Sequence, residues 1–348
     1  MARETREKRS TSLDVARLAG VSHTTVSFVI NDRHTDSIPE ETRARVLKAV
    51  AELDYHPHEA ARSLRARASN VIAAAVPEAY NPHHLGTVEG AEAYARSHGY
   101  SILRAITNFD QVEERRCFTW LKQRRIDALI LSTGDPTPLG DDIELLRQGG
   151  YIITGLGLLV DGIDGVAVEE HAGERQAIEH LVSLGHRRIG YVYGLGRAVM
   201  WTGRLESCLK VAQSHGLPVD PRWIQRCGPS PEDGFEAVGR LLAATPDSER
   251  PTALVVVNDL VASGVLAALY SAHVAVPREI SVLSFDNTRP SMFMVPPLTT
   301  VDGQGLDLGK EAARLTIERL ANPSKPPVHL TTRATLVVRD STGPAPFP

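Results

Sequence analysis

"LDVARLAGVSHTTVSFVI", residues 13–30, carries apolar residues at helical spacing that are cut in the middle by a glycine. The apolar set is Val15, Ala19, Val21, Val26 and Val29, with the small Ala16 four residues before Gly20. A 3.6-residue period predicts one short helix over 13–19 and a second over 24–30. Neither apolar face is long enough to hold an isolated helix, so the two must pack on each other. Gly20 permits a left-handed backbone at the junction, and Ser22 is a good N-cap for the second helix. Spacing and chemistry together describe a helix-turn-helix.

The stretch that follows, "IPEETRARVLKAVAELDYHP" (38–57), opens on Pro39 and acidic residues and then places Val46, Leu47, Val50 and Leu53 on one face. This predicts a third helix that closes a small core. "HPHEAARSLRARASN" (56–70) is rich in alanine and arginine and too polar to make a core of its own, so it reads as a linker able to become helical on binding.

From Val71 the texture changes. Short apolar runs, "VIAAAV", "SILRAI", "IDALILS", "YIITGL", "RIGYVYG", "ALVVVN" and "ISVLSFD", alternate with stretches of helical period such as 111–124, 171–185, 204–215 and 259–272. Alternating strands and helices imply parallel sheets covered on both faces, and the number of strands suits two doubly wound subdomains better than one sheet. Ligands of such sheets lie beyond the carboxyl ends of the strands, so two facing sheets make a cleft.

Composition sets the outer limits. The 348 residues are 42% hydrophobic, an ordinary soluble composition with room for two or three domains. No run approaches the roughly 20 apolar residues of a membrane span, and the charged start "MARETREKRSTSLDVA" lacks the apolar core of a signal peptide, which predicts a cytoplasmic protein. Cys117, Cys208 and Cys227 are odd in number and widely spaced, suggesting neither a disulfide framework nor a zinc site. Residues 1–68 hold 12 Lys and Arg against 10 Asp and Glu, and the rest hold 26 against 32. A slightly positive head on a negative body is the direction expected of a nucleic-acid-binding head.

In the order and wording of these segments the chain strongly resembles the lactose repressor and galactose repressor (LacI/GalR) family of bacterial transcription regulators. The resemblance runs from "TSLDVARLAGVSHTTVSFVIN" through "EHLVSLGHRRIGYVYG", "NDLVASGVLAAL" and "PREISVLSFDNT" to "PPLTTVDGQGLDLGKEAARL" and "LVVRDST". It implies a small all-α helix-turn-helix head, joined by a hinge helix to an α/β body of two doubly wound parallel-sheet subdomains of the type I periplasmic-binding-protein kind. The boundaries it suggests are 1–55 for the head, 56–70 for the hinge and 71–340 for the body. Within the body, about 71–168 and 303–330 form one subdomain and about 169–302 and 331–340 the other, leaving 341–348 as a tail. It further implies a homodimer on a near-palindromic DNA operator, and a small effector, for which a sugar is the family's suggestion. The lack of a leucine heptad after residue 340 favours a dimer over a tetramer.

The second helix of a helix-turn-helix enters the major groove, which makes His23, Thr24 and Phe28 the candidate base readers. By resemblance, Ser22, Thr25, Ser27 and Asn31 would hold phosphates. Phe28 departs from the family, which commonly has Arg there; an arginine can grip guanine through two hydrogen bonds, whereas Phe offers only apolar contact, for example to a thymine methyl. "ARSLR" matches the family's hinge helix, in which Leu64, one turn after Ala61, would wedge into the minor groove. His58 stands where the family usually has Asn.

For the effector, Arg204 matches the family's pocket arginine, and Asn258, Asp259 and Asp286 follow strands at carboxyl ends. His83 and His84 of "NPHH" bring polar rings where the family more often has aromatics. The usual sugar-stacking aromatics would fall near Pro229 and Gly305 and are missing, with Trp201 as a substitute. The alternative for the same residues is that Asp259 and Asp286 cap the next helices and Arg204 makes a local ion pair. Glu169, Glu170 and His171 could be drawn as an acid/base cluster, but no nucleophile motif, phosphate-binding loop or metal signature accompanies them. The reading is therefore a regulator rather than an enzyme, without a cofactor. A solute-binding protein of the same body fold and an effector-independent regulator are the rivals.

Overall fold

The structure, a computed structural model, describes residues 10–30, 37–55, 68–78, 80–169, 171–194 and 199–346, with the backbone alone for 199–202. It divides into two compact units, residues 1–69 and 70–348.

In the first unit, α1 (Ser12–Ala19), α2 (His23–Ile30) and α3 (Glu40–Glu52) close one core. Thr11 and Asp14 form a reciprocal capping box at the start of α1, and Gly20 ends it in the left-handed region at φ 66°. Ser22 Oγ then accepts from the Thr25 amide at 3.1 Å, capping α2 as expected. Val15, Ala16, Ala19, Val26, Val29, Val46 and Ala49 are buried together. On α3 the buried face is Val46 and Ala49 with Val50 and Leu53 packed beside them; Leu47, expected on that face, is exposed. A single helical step of 100° separates Leu47 from Val46, enough to turn it out to solvent.

The second unit holds two six-stranded sheets. The first subdomain contains β1 (Val71–Val76), α4 (Pro82–Ser97), β2 (Ser101–Ile106), α5 (Gln111–Lys122), β3 (Ala128–Leu131), α6 (Gly140–Gln148), β4 (Ile152–Leu156) and β5 (Asp164–Val168). The second contains α7 (Ala172–Ser183), β6 (Ile189–Gly194), α8 (Val199–Ser214), β7 (Ile224–Cys227), α9 (Pro231–Ala244), β8 (Ala253–Val256), α10 (Asp259–Ser271), β9 (Ser281–Phe285) and β10 (Thr299–Asp302). The chain then returns to the first subdomain for α11 (Gly305–Ala321) and β11 (His329–Thr332), and crosses again for β12 (Thr335–Val337). Strand orders are β11-β5-β4-β3-β1-β2, wholly parallel, and β12-β10-β9-β8-β6-β7, parallel except for the antiparallel β12.

Three connections therefore join the subdomains. The last falls after Thr332, which pairs with Val168 in the first sheet, two residues beyond the boundary suggested by resemblance. Asp164 fixes that return: it takes a two-pronged ion pair from Arg319 on α11, at 2.8 and 2.9 Å, and accepts the Val328 amide at 2.8 Å. Residues 341–346 are stitched to the second subdomain, with Ser341 Oγ accepting the Thr299 amide at 2.7 Å and the Ala345 amide donating to Leu184 O at 2.8 Å.

Each subdomain also contains a helix pair that crosses through opposed glycines. A Cβ on Gly90 of α4 would lie 1.9 Å from Leu306 O, and one on Gly309 of α11 would lie 1.7 Å from Thr87 O. In the second subdomain the counterparts are Gly234 of α9, 2.4 Å from Val261 O, and Gly264 of α10, 1.7 Å from Pro231 O. Backbones this close leave no room for any side chain.

Candidate nucleic-acid interface and effector cleft

On α2, Ser22 and Thr24 are exposed and His23, Thr25, Ser27 and Phe28 are half-buried, while the core face is Val26 and Val29. Ser22 and Thr25 share a hydrogen bond between their hydroxyls at 2.8 Å, so the first turn presents two hydroxyls and open amides at one helix end. His23 Nε2 is engaged by Ser12 Oγ of α1 at 2.9 Å, which fixes its ring against the first helix. Asn31, His58, Ala61 and Leu64 lie outside the described residues.

The cleft gathers side chains from both subdomains. Asn81 caps α4 by accepting the His83 amide at 3.0 Å, and its Nδ2 donates to Glu78 Oε2 at 3.2 Å. Glu78 follows β1 and is 3% exposed. His84 Nε2 lies 3.8 Å from the same Oε2. Burial drives both groups toward neutrality, pushing Glu78 up to about 7 and His84 down to about 3, so the imidazole brings no charge to the carboxyl. His83 Nδ1 reaches 3.8 Å from Asp286 Oδ1, a contact from one subdomain to the other. Asp286 stands just past β9 with φ 108°, a left-handed-side backbone unusual for a residue with a Cβ. Burial pushes its carboxyl up to about 6 against the opposing pull of His83 and Arg204.

The remaining expected residues have other partners. Arg204 donates to Val257 O at 2.7 Å, pairs with Glu174 at 3.4 Å and lies 4.3 Å above the Phe285 ring. Asn258 is the N-cap of α10, its Oδ1 accepting the Val261 amide at 2.9 Å. Asp259 is fully buried: it accepts from the Thr288 amide at 2.7 Å, Thr288 Oγ1 at 3.0 Å, Thr300 Oγ1 at 2.7 Å and Ser284 Oγ. A carboxylate with four donors has nothing left for a ligand, so the expected effector role for Asp259 is replaced by a structural one. Trp201 lies on α8, where the backbone alone is described. At Gly305 the place of the missing aromatic is filled by His83, whose ring lies 3.2 Å from where a Cβ would stand. Glu78, Asn81, Glu174 and Phe285 went unread in the sequence; for Glu78 the available signal was its position at the carboxyl end of the first strand.

Residues 11–58 match the family model of bacterial regulatory proteins, lacI family, and residues 178–342 match a periplasmic binding protein-like domain. The chain is 31% identical over 315 residues, 90% of its own length and 92% of the relative's, to the HTH-type transcriptional repressor PurR of Haemophilus influenzae (strain PittEE). The chain belongs to the lacI family of bacterial regulatory proteins. As a lacI-family member it is a DNA-binding regulator rather than an enzyme. Two solved structures are similar in fold to this lacI-family chain. One is the lac repressor dimer bound to operator and the anti-inducer ONPF, with TM-score 0.83 and 26% identity over 97% of this chain and 100% of that one. The other is the transcriptional regulator CelR in complex with cellobiose, with TM-score 0.68 and 27% identity over 96% and 100%. No described helix is long and apolar enough to cross a membrane.

Proposed function

We propose that this chain is a repressor that binds a near-palindromic DNA site as a homodimer, with α2 in the major groove, and answers to a small molecule held in the cleft between its subdomains. The observation that carries the reading is the capped α1–Gly20–α2 unit, whose exposed end presents Ser22, Thr24 and Thr25. Short hydroxyl donors and a helix N-terminus suit phosphates and orient the helix, leaving Thr24 and Phe28 to face base edges. The 31% identity to a repressor and the operator-bound dimer of similar fold support it. So do the exposed Phe293 and Val295 on the body, since a monomer gains nothing from apolar side chains held in water.

The test is selection from randomised duplexes, followed by affinity measurements across salt concentrations. A two-fold symmetric winner should bind with an affinity that falls steeply as salt rises, because phosphate contacts release counterions. Equal affinity for random and selected DNA at every salt would overturn the reading. Repeating the selection with Phe28→Arg should shift preference toward guanine at one position of each half-site, a change of roughly 1–3 kcal/mol, without altering the salt slope. Leu64→Ala should leave the half-site unchanged but reduce bending of the duplex. An unmoved half-site for the first, or undiminished bending for the second, would remove that residue from the interface.

In the cleft, Asp286 and His83 come from opposite subdomains, so a ligand at Asp286 can favour one arrangement of the two over another. Any metabolite found to change affinity for the selected duplex should lose that effect on Asp286→Asn, while operator affinity without the metabolite stays within about twofold. A wild-type response from the variant would place the effector elsewhere.

A further inference from the structure

Glu78 Oε1 is, among the described residues, a buried carboxyl oxygen with no hydrogen-bond partner. Its sister oxygen is shared between Asn81, which donates at 3.2 Å, and His84, whose nitrogen at 3.8 Å stands beyond hydrogen-bond range. Buried oxygens are nearly always satisfied, so an unused one in a cleft marks a place where a donor is missing.

The surroundings say what kind of donor. Glu78 closes the first strand of one subdomain, and the negative charge of Asp286, past β9 of the other, acts on it. Both carboxyls are held above their ordinary range, by burial first and then, for Glu78, by Asp286 against the help of Asn81. Arg204, whose charge acts on Asp286, is already committed to Glu174, the Val257 carbonyl and the Phe285 ring. His84 is held neutral by burial, and His83 keeps 3.8 Å from Asp286. The site thus holds more carboxyl than it neutralises. A phosphate or carboxylate on a ligand would add like charge to it, whereas a protonated nitrogen would bring the donor that Glu78 lacks and a positive charge to the two carboxyls.

We propose that the cleft takes a small polar molecule bearing a protonated amino group, which donates to Glu78 Oε1 with its positive charge facing Asp286. This rests on the reading of the cleft as the effector site, and makes Glu78 a specificity-determining residue of it. Glu78→Gln keeps the size of the side chain and an oxygen for Asn81 but removes the charge.

The experiment titrates the full-length protein calorimetrically with matched probes: glucosamine, glucose and glucose 6-phosphate, and putrescine against 1,4-butanediol. In at least one set the amine should bind at least about tenfold more tightly than its neutral partner, and Glu78→Gln should abolish that preference while melting as a folded protein. The proposal is overturned if no amine binds at millimolar concentration, if the neutral or phosphorylated probe binds as well, or if Glu78→Gln retains the preference. A neutral or phosphorylated probe whose binding is lost in Asp286→Asn but kept in Glu78→Gln would defeat the amine assignment and leave the cleft reading standing. A probe that binds both variants like the wild type would bring down the cleft reading as well.

Discussion

Asp259→Ala is expected to destabilise the second subdomain by several kcal/mol, because each buried donor left without its acceptor costs roughly 1–3 kcal/mol. The carboxylate ties the start of α10 to β9 through Ser284, to the turn after it through Thr288 and to β10 through Thr300. Alanine would leave the Thr288 amide without an acceptor, and unlike the three hydroxyls an amide cannot rotate to find another. Total stabilities of about 5–15 kcal/mol make this a large fraction of the whole. Denaturant unfolding followed through Trp223, buried in the same subdomain, should show an earlier midpoint. Asp259→Asn should fall between, since one of its two terminal atoms becomes a donor facing donors. A wild-type midpoint for Asp259→Ala, together with a lost effector response, would return Asp259 to the ligand site.

The second expectation concerns the opposed glycines. Gly309→Ala and Gly264→Ala each place a methyl within 1.7 Å of a backbone carbonyl oxygen, and neither helix of either pair can yield by turning a side chain. The helices must part, which should cost about 3 kcal/mol or more and leave much of the protein insoluble or expanded. Gly239→Ala supplies the contrast. It lies on α9, as Gly234 does, but faces open space, so the methyl should stabilise by up to about 1 kcal/mol through helix propensity alone. Circular dichroism melts of the three variants decide the matter; near-equal midpoints would mean the crossings are slack.

What could be read in the chain follows from how local each determinant is. β1, β3, β8 and β9 announce themselves because both faces are buried, so the residues are apolar without alternation. β11 and β12, "HLTT" and "TLV", are half-exposed edges made strands by the neighbour they join, and β7 is a short polar edge for similar reasons; β10, "TTVD", is buried between β9 and β12, with Thr299 and Thr300 donating to Arg339 O and Asp259. The capping serine and the glycine of the head were legible because each acts within three or four residues of itself. The cleft was legible only as a set of strand ends. Asp259 stands at such an end, yet the first turn of α10 directs it inward to partners 25 to 41 residues away. Glu78 sits in a loop with no motif, and its significance depends on Asp286, more than two hundred positions later.

The return of the chain through α11 and β11 bears on how this protein is made. Leu308, Ala312 and Ala313 of α11 belong to the same core as Ile72, Ala74 and Val76 of β1. On a ribosome, five strands of the first sheet have emerged by Val168, but the helix that covers this face is complete only at Ala321 and the sixth strand only at Thr332. Through the translation of some 150 intervening residues, an apolar face and an unpaired strand edge stand open to chaperones and to one another. Neither subdomain is built from one uninterrupted segment, so a product truncated before Ala321 lacks the helix that covers this face of β1.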